Sequence, residues 1–142
     1  MIKFATAVLM SLSSLVATAG DLTTACPASL DRDALTVRGP DGWTGYAPGA
    51  MRLSGFGMMA GPPETMSYLV PSSSKTNKAG GSSTWEFEPT WQKWLYCLYD
   101  GSAAIQIARR LDDSANICTV TFSRQARGSI SSASVQCKAN AP

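Results

Sequence analysis

Four cysteines, two glutamates two positions apart, two pairs of close aspartates and a crowd of aromatic rings are the groups through which this chain could do chemistry, and it has no histidine to assist them. Without imidazole there is no Ser-His-Asp or Cys-His unit and no zinc site that needs a histidine ligand. Glu86 and Glu88 share one face of an extended segment, about 7 Å apart by the two-residue period. A glycosidase sets two carboxylates across the bond it cleaves and raises the pKa of one. Nothing beside Glu86-Phe87-Glu88 would position a sugar between them, so the pair reads as a solvated strand face. Asp31/Asp33 and Asp112/Asp113 sit among turn residues, where aspartate bonds its own backbone, and neither opens the regular series of oxygen ligands of a calcium loop. Gly55-x-Gly57 and Gly80-Gly81 lack the strand-to-helix setting and the lysine of a phosphate loop. Arg109 and Arg110 point to opposite faces by alternation, which makes a joint anion site unfavourable. No catalytic residue, metal ligand or cofactor is expected.

Cys26, Cys97, Cys118 and Cys137 are even in number, and none forms the close C-x-x-C pair of a metal site. Two disulfides are expected, and three pairings are open. Ile117–Phe122 alternates so that Cys118, Val120 and Phe122 share a face; Ala133, Val135 and Cys137 alternate likewise. If a hairpin turns near Gln125–Gly128, position i pairs with 255 − i, and Cys118 faces Cys137. Cys97, one strand earlier, is then expected to reach Cys26, so Cys26–Cys97 and Cys118–Cys137 are the favoured bridges.

Trp85, Trp91, Trp94, Tyr96 and Tyr99 crowd a short stretch. Flat rings stack on sugars, but a small β domain also needs them to fill its interior. Most are assigned to the core, with Trp91 or Tyr99 as the exposed exceptions. Trp43, beside the turn residues Asp41-Gly42, is expected to cap the core's edge or line a contact patch.

The elements that must position these groups are strands. Past the first residues no helical periodicity of ten residues survives. Asp33–Arg38 is a predicted strand closed by Gly39-Pro40-Asp41-Gly42, and Met51–Met59 a strand bulged or twisted at Gly55 and Gly57. Gly61–Glu64 is a turn, Met66–Val70 a short strand, and Ser72–Ser83 a polar mobile loop. Thr84–Glu88, Trp91–Tyr99 with both faces apolar from Trp94 onward, Ala103–Leu111, Ile117–Ser123 and Ser131–Lys138 complete the set. Strands at this spacing predict a mainly β domain: a single disulfide-stapled antiparallel sheet, curled or doubled into a sandwich or partial barrel.

Residues 1–19 have the pattern of a secretory signal peptide. Lys3 supplies the positive start, Phe4–Val16 the uncharged and mostly apolar stretch, and Ala17-Thr18-Ala19 the small-x-small cleavage site. That stretch is too short for a membrane span, which needs roughly twenty apolar residues. Leu22-Thr23-Thr24-Ala25-Cys26 is a rival site for lipidation at Cys26, but its leucine lies one position too far upstream. The expectation is a freely exported single β-rich domain of residues 20–142, periplasmic or secreted, with no stable membrane insertion. The whole chain is 142 residues, 44% hydrophobic and 15% charged, with a net charge of +2. So small an excess excludes the basic field of a nucleic-acid binder.

Cys26-Pro27, Gly42-Trp43, Gly61-Pro62-Pro63-Glu64, Leu69-x-Pro71, Trp85-x-Phe87, Trp94-Leu95-x-Cys97-x-Tyr99 and Leu111 followed by Cys118-x-Val120 form a recurring order. It resembles a family of small exported bacterial proteins labelled after a Salmonella Typhi locus of the STY series. The resemblance spans about residues 26–122 and implies an envelope location in a Gram-negative cell, with no activity attached. Asp112 stands where a proline often follows the leucine, a departure that touches a turn. Tyr96-Cys97-x-Tyr99-Asp100 is also similar, at the level of fold, to periplasmic lysozyme inhibitors. The function expected is a non-catalytic binding or interaction module whose partner is an envelope protein or a cell-wall sugar. The alternative is an inhibitor or immunity-type protein against a cell-wall hydrolase, and a carboxylate-only hydrolase ranks behind both.

Overall fold

The computed structural model describes residues 24–101 and 105–138. The signal segment and the Ala19 cleavage site lie outside the described residues. Among those described, the strands are β1 (Thr24–Cys26), β2 (Ser29–Leu30), β3 (Met51–Met59), β4 (Tyr68–Leu69), β5 (Ser73–Asn77), β6 (Gly80–Glu86), β7 (Trp94–Tyr99), β8 (Ile105–Arg110), β9 (Ile117–Arg124) and β10 (Ile130–Lys138). They form two antiparallel sheets. The first runs β1-β10-β9-β6-β5; the second runs β2-β3-β7-β8, with β4 also paired to β3. The sheet is thus doubled rather than closed into a barrel.

The chain alternates between the sheets by hairpins. β5–β6 and β9–β10 belong to the first and β7–β8 to the second, so β3 meets β7 across one excursion and β6 meets β9 across the next. Inward residues of both sheets make one core, including Leu53, Met58, Leu95 and Tyr99 from the second and Trp85, Val120, Phe122 and Val135 from the first. Phe56 joins them. Its ring lies 5.0 Å from that of Phe122 and 6.5 Å edge-on from that of Trp85, contacts of the kind aromatic quadrupoles favour. The Trp85 indole N–H donates to the carbonyl of Leu69 at 3.1 Å, so its one polar atom is satisfied inside.

Two disulfides work at different levels. Cys26 on β1 is bonded to Cys97 on β7, with Cα atoms 5.8 Å apart, and ties one sheet to the other. The neighbouring Tyr99 hydroxyl donates to the Pro27 carbonyl at 2.9 Å and reinforces that junction. Cys118 is bonded to Cys137 within the β9–β10 ladder, Cα atoms 4.0 Å apart, as directly opposed residues. The ladder keeps the pairing sum of 255 from Ile117–Lys138 to Ser123–Ser132, then shifts at a bulge before Ile130–Arg124.

Three local expectations are corrected. Residues 33–38 are not a strand: Arg32–Ala34 is a 3-10 turn and residues 35–39 are irregular. β-propensity there finds no neighbouring strand to pair with, and pairing is what stabilises an extended segment. Ser72–Ser83 is not a loop but most of the β5–β6 hairpin. Asn77 turns it, its side-chain oxygen accepting from the amides of Ala79 (2.8 Å) and Gly80 (3.1 Å). Gly81 lets the strands close, since a Cβ there would stand 2.1 Å from the Lys75 carbonyl oxygen. Finally, Tyr99 is not an exposed ring; it is wholly buried.

Candidate functional site

The carboxylates do not assemble a reaction centre. Glu86 ends β6 and Glu88 follows it; both are exposed on the wall of a shallow cleft of about 210 Å³ shared with Trp91 and Asn116. Asp112 accepts from the Ser114 amide at 2.8 Å, and that bond lowers its pKa. Asp113 pairs with Arg110, whose hydrogen bond holds the carboxyl below its ordinary value.

Asp113 also closes a structural lock that the sequence conceals. Lys93 is 0% exposed, a rare state for a lysine. Its Nζ donates to the carbonyls of Trp91 (2.9 Å) and Asp113 (2.8 Å), and its backbone N–H donates to Asp113 Oδ1 at 3.3 Å. The ammonium also lies 5.8 Å from the centre of the Phe87 ring. These bonds pin the segment before β7 to the turn between β8 and β9. Their role is to fix loops.

What the fold does present is apolar surface. On the outer face of the second sheet, β7 carries Trp94, Tyr96 and Leu98, all half-buried. Opposite Tyr96 and Leu98, β3 has Gly57 and Gly55. A Cβ at Gly57 would meet the Tyr96 hydroxyl at 2.4 Å, and one at Gly55 would meet Leu98 at 2.8 Å. The glycines therefore leave room for both side chains to lie flat across β3. Tyr68 of β4 meets the Tyr96 ring edge-on at 5.1 Å and bonds the Gln106 side chain of β8 at 3.0 Å. Burial raises the Tyr96 phenol pKa, and the nearby Tyr68 raises it further. Met66 and Val70, flanking β4, are exposed beside this layer.

A second exposed apolar group precedes β3. Trp43 and Tyr46 are 77% and 76% exposed, and Val37 is 47% exposed. Trp43 thus caps no core edge. Of the sequence-predicted aromatic cluster, Trp85 and Tyr99 are core, Trp94 and Tyr96 form the outer layer, and Trp91 is exposed. The Tyr68–Tyr96 pairing joins distant segments and had no local signal.

Such exposed aromatic surfaces suit contact with another protein. Among the described residues, no group of His, Cys, Asp and Glu could hold a metal, and no helix is long and apolar enough to cross a membrane. No curated protein and no solved structure matches the chain. Residues 47–138, from just before β3 to the end of β10, match the type VI secretion system Tli immunity protein family. That span is well over half of the chain and takes in both sheets apart from the short β1 and β2. The chain belongs to the type VI secretion system Tli immunity protein family.

Proposed function

We propose that this protein is an exported immunity protein that binds a type VI secretion effector in the periplasm and neutralises it stoichiometrically, without turnover. The observation that carries the reading is the family match over residues 47–138. It favours the immunity-type reading of the sequence over an unspecified interaction module. Two further features support it. The chain commits all four cysteines to disulfides, bonds that persist in an oxidising compartment. Its large exposed side chains include Trp43 and Tyr46, residue types that anchor protein interfaces. A cell-wall hydrolase is the effector class suggested by the sequence, and a partner protein on the envelope side is the corresponding binding partner.

Competition between a type VI-armed attacker and a susceptible recipient tests this. Recipients expressing the full chain are expected to survive, while recipients expressing it without residues 1–19 are expected to die. Equal killing of both would overturn the proposal. Equal protection by both would overturn its periplasmic site of action.

A further inference from the structure

The exposed pair Trp43 and Tyr46 belongs to a small projecting finger, residues 37–46. Its tip is the turn Pro40-Asp41-Gly42-Trp43, closed by a bond from the Trp43 amide to the Pro40 carbonyl at 3.0 Å. Gly42 takes a left-handed φ of 82° there, which glycine adopts without steric cost. The two limbs touch. A Cβ at Gly39 would stand 2.9 Å from the Trp43 carbonyl oxygen, and one at Gly45 would stand 2.3 Å from that of Val37. Leu35, which packs on the core, holds the base, and an open groove of about 510 Å³ lined by residues that include Val37, Tyr46, Met51 and Ile105 runs beside it. Glycines at the points of close approach and a proline-led turn thus fix a loop that has no strand ladder.

This finger spends large rings on solvent. An exposed tryptophan is unfavourable for a monomer, yet tryptophan and tyrosine head the residues that dominate binding at protein interfaces. The outer layer of the second sheet is different: its Tyr68 and Tyr96 already pack on each other, and Tyr68 is hydrogen-bonded to Gln106. Trp43 and Tyr46 are more exposed than either. Within residues 37–46 the charges are Arg38 and Asp41, which cancel, so the finger carries no net charge. The family match begins at residue 47, immediately after the finger, so these rings stand outside the scaffold that the match defines.

We infer that the finger of residues 37–46 is the element by which this chain selects its effector, with Trp43 and Tyr46 seated in an apolar cleft of that protein. The inference rests on the immunity reading and assigns its specificity to a segment next to the family scaffold. Burying two such rings in a partner supplies the central anchors of an interface, while the sheets hold the finger in place.

The test uses the full chain, exported and recovered oxidised, and its W43S/Y46S variant. Each is titrated against the effectors of the same cell's type VI system, purified one by one. Both side chains are exposed, so the variant is expected to melt within about 2 °C of the wild type, since surface changes away from packed features alter stability little. Its affinity for the one effector that the wild type binds is expected to fall at least about 100-fold. A variant that binds that effector within threefold of the wild type overturns the finger's role and leaves the immunity reading standing. A wild-type chain that binds none of the effectors overturns both. Binding to vesicles of envelope lipid that is lost in the variant, with effector binding retained, assigns the rings to a membrane surface and also overturns the inference.

Discussion

Removing the bridge between the sheets should cost more stability than removing the bridge within one. The perturbation is C26A/C97A, compared with C118A/C137A, both measured without reductant. Cys26 and Cys97 are separated by 71 residues and Cys118 and Cys137 by 19. Loop-closure entropy then gives about 4.4 kcal/mol for the first bridge and about 3.2 kcal/mol for the second. The real gap should be wider. The β9–β10 ladder already pairs residues on both sides of Cys118 and Cys137, so residual hairpin structure in the unfolded chain shortens the loop which that bridge closes. By contrast, among the described residues the three-residue β1 pairs only with β10, and Cys26–Cys97 is its covalent tie to the second sheet. Urea unfolding followed by tryptophan fluorescence is the assay. With a slope of about 2 kcal/mol per M, the midpoint should fall by about 2 M for C26A/C97A. A larger loss in C118A/C137A, or a loss below about 1 kcal/mol in C26A/C97A, would refute the reasoning.

Three other perturbations follow from the same packing. Lys93→Met leaves the carbonyls of Trp91 and Asp113 without their buried donor, and should destabilise the chain by about 2–4 kcal/mol in the same urea assay. Asp113 has its folded pKa held below 3.8, chiefly by the hydrogen bond from Arg110, so its contribution is complete above that value and is lost as pH falls through the folded pKa. The difference in melting temperature between wild type and Asp113→Asn should accordingly shrink below about pH 4, and a difference constant from pH 2 to 7 would contradict this. Gly57→Ala drives a Cβ into the Tyr96 hydroxyl and should lift that ring from the sheet, at a cost of about 1–3 kcal/mol and with a changed tyrosine environment in near-ultraviolet circular dichroism.

The parts of the fold legible in the sequence are those where one face is buried and the other wet. Alternation from Ile117 to Phe122 and from Ala133 to Cys137 defines two strands and their mutual register, because a one-residue slip would move Val120 and Val135 out of the core. The β5–β6 hairpin was illegible for the converse reason. Ser73–Asn77 is an exposed edge strand with no apolar face, and its polar composition reads like a loop. Charged and polar residues of this kind are also how proteins discourage unwanted pairing at an edge. Gly55 and Gly57 announced a bulge, and the register does shift between Leu53 and Gly55. Their second service, clearing space for Leu98 and Tyr96, depends on a strand some forty residues away and has no local signature. Lys93 was hidden by its neighbours, since a lysine in an aromatic run gives no sign that two carbonyls await its ammonium. Trp43 stood out beside its turn, but the close approach of the two limbs around that turn and the exposure of its ring are seen only in the fold.

The proposed stoichiometric neutralisation of a type VI effector is read out by titrating the oxidised, exported chain into purified effector while following the effector's own activity. A linear loss of activity is expected, reaching its floor at a fixed, small ratio of chain to effector and coinciding with the calorimetric binding isotherm. Effector activity that stays constant across the titration, for every effector of the same cell's system, would contradict it.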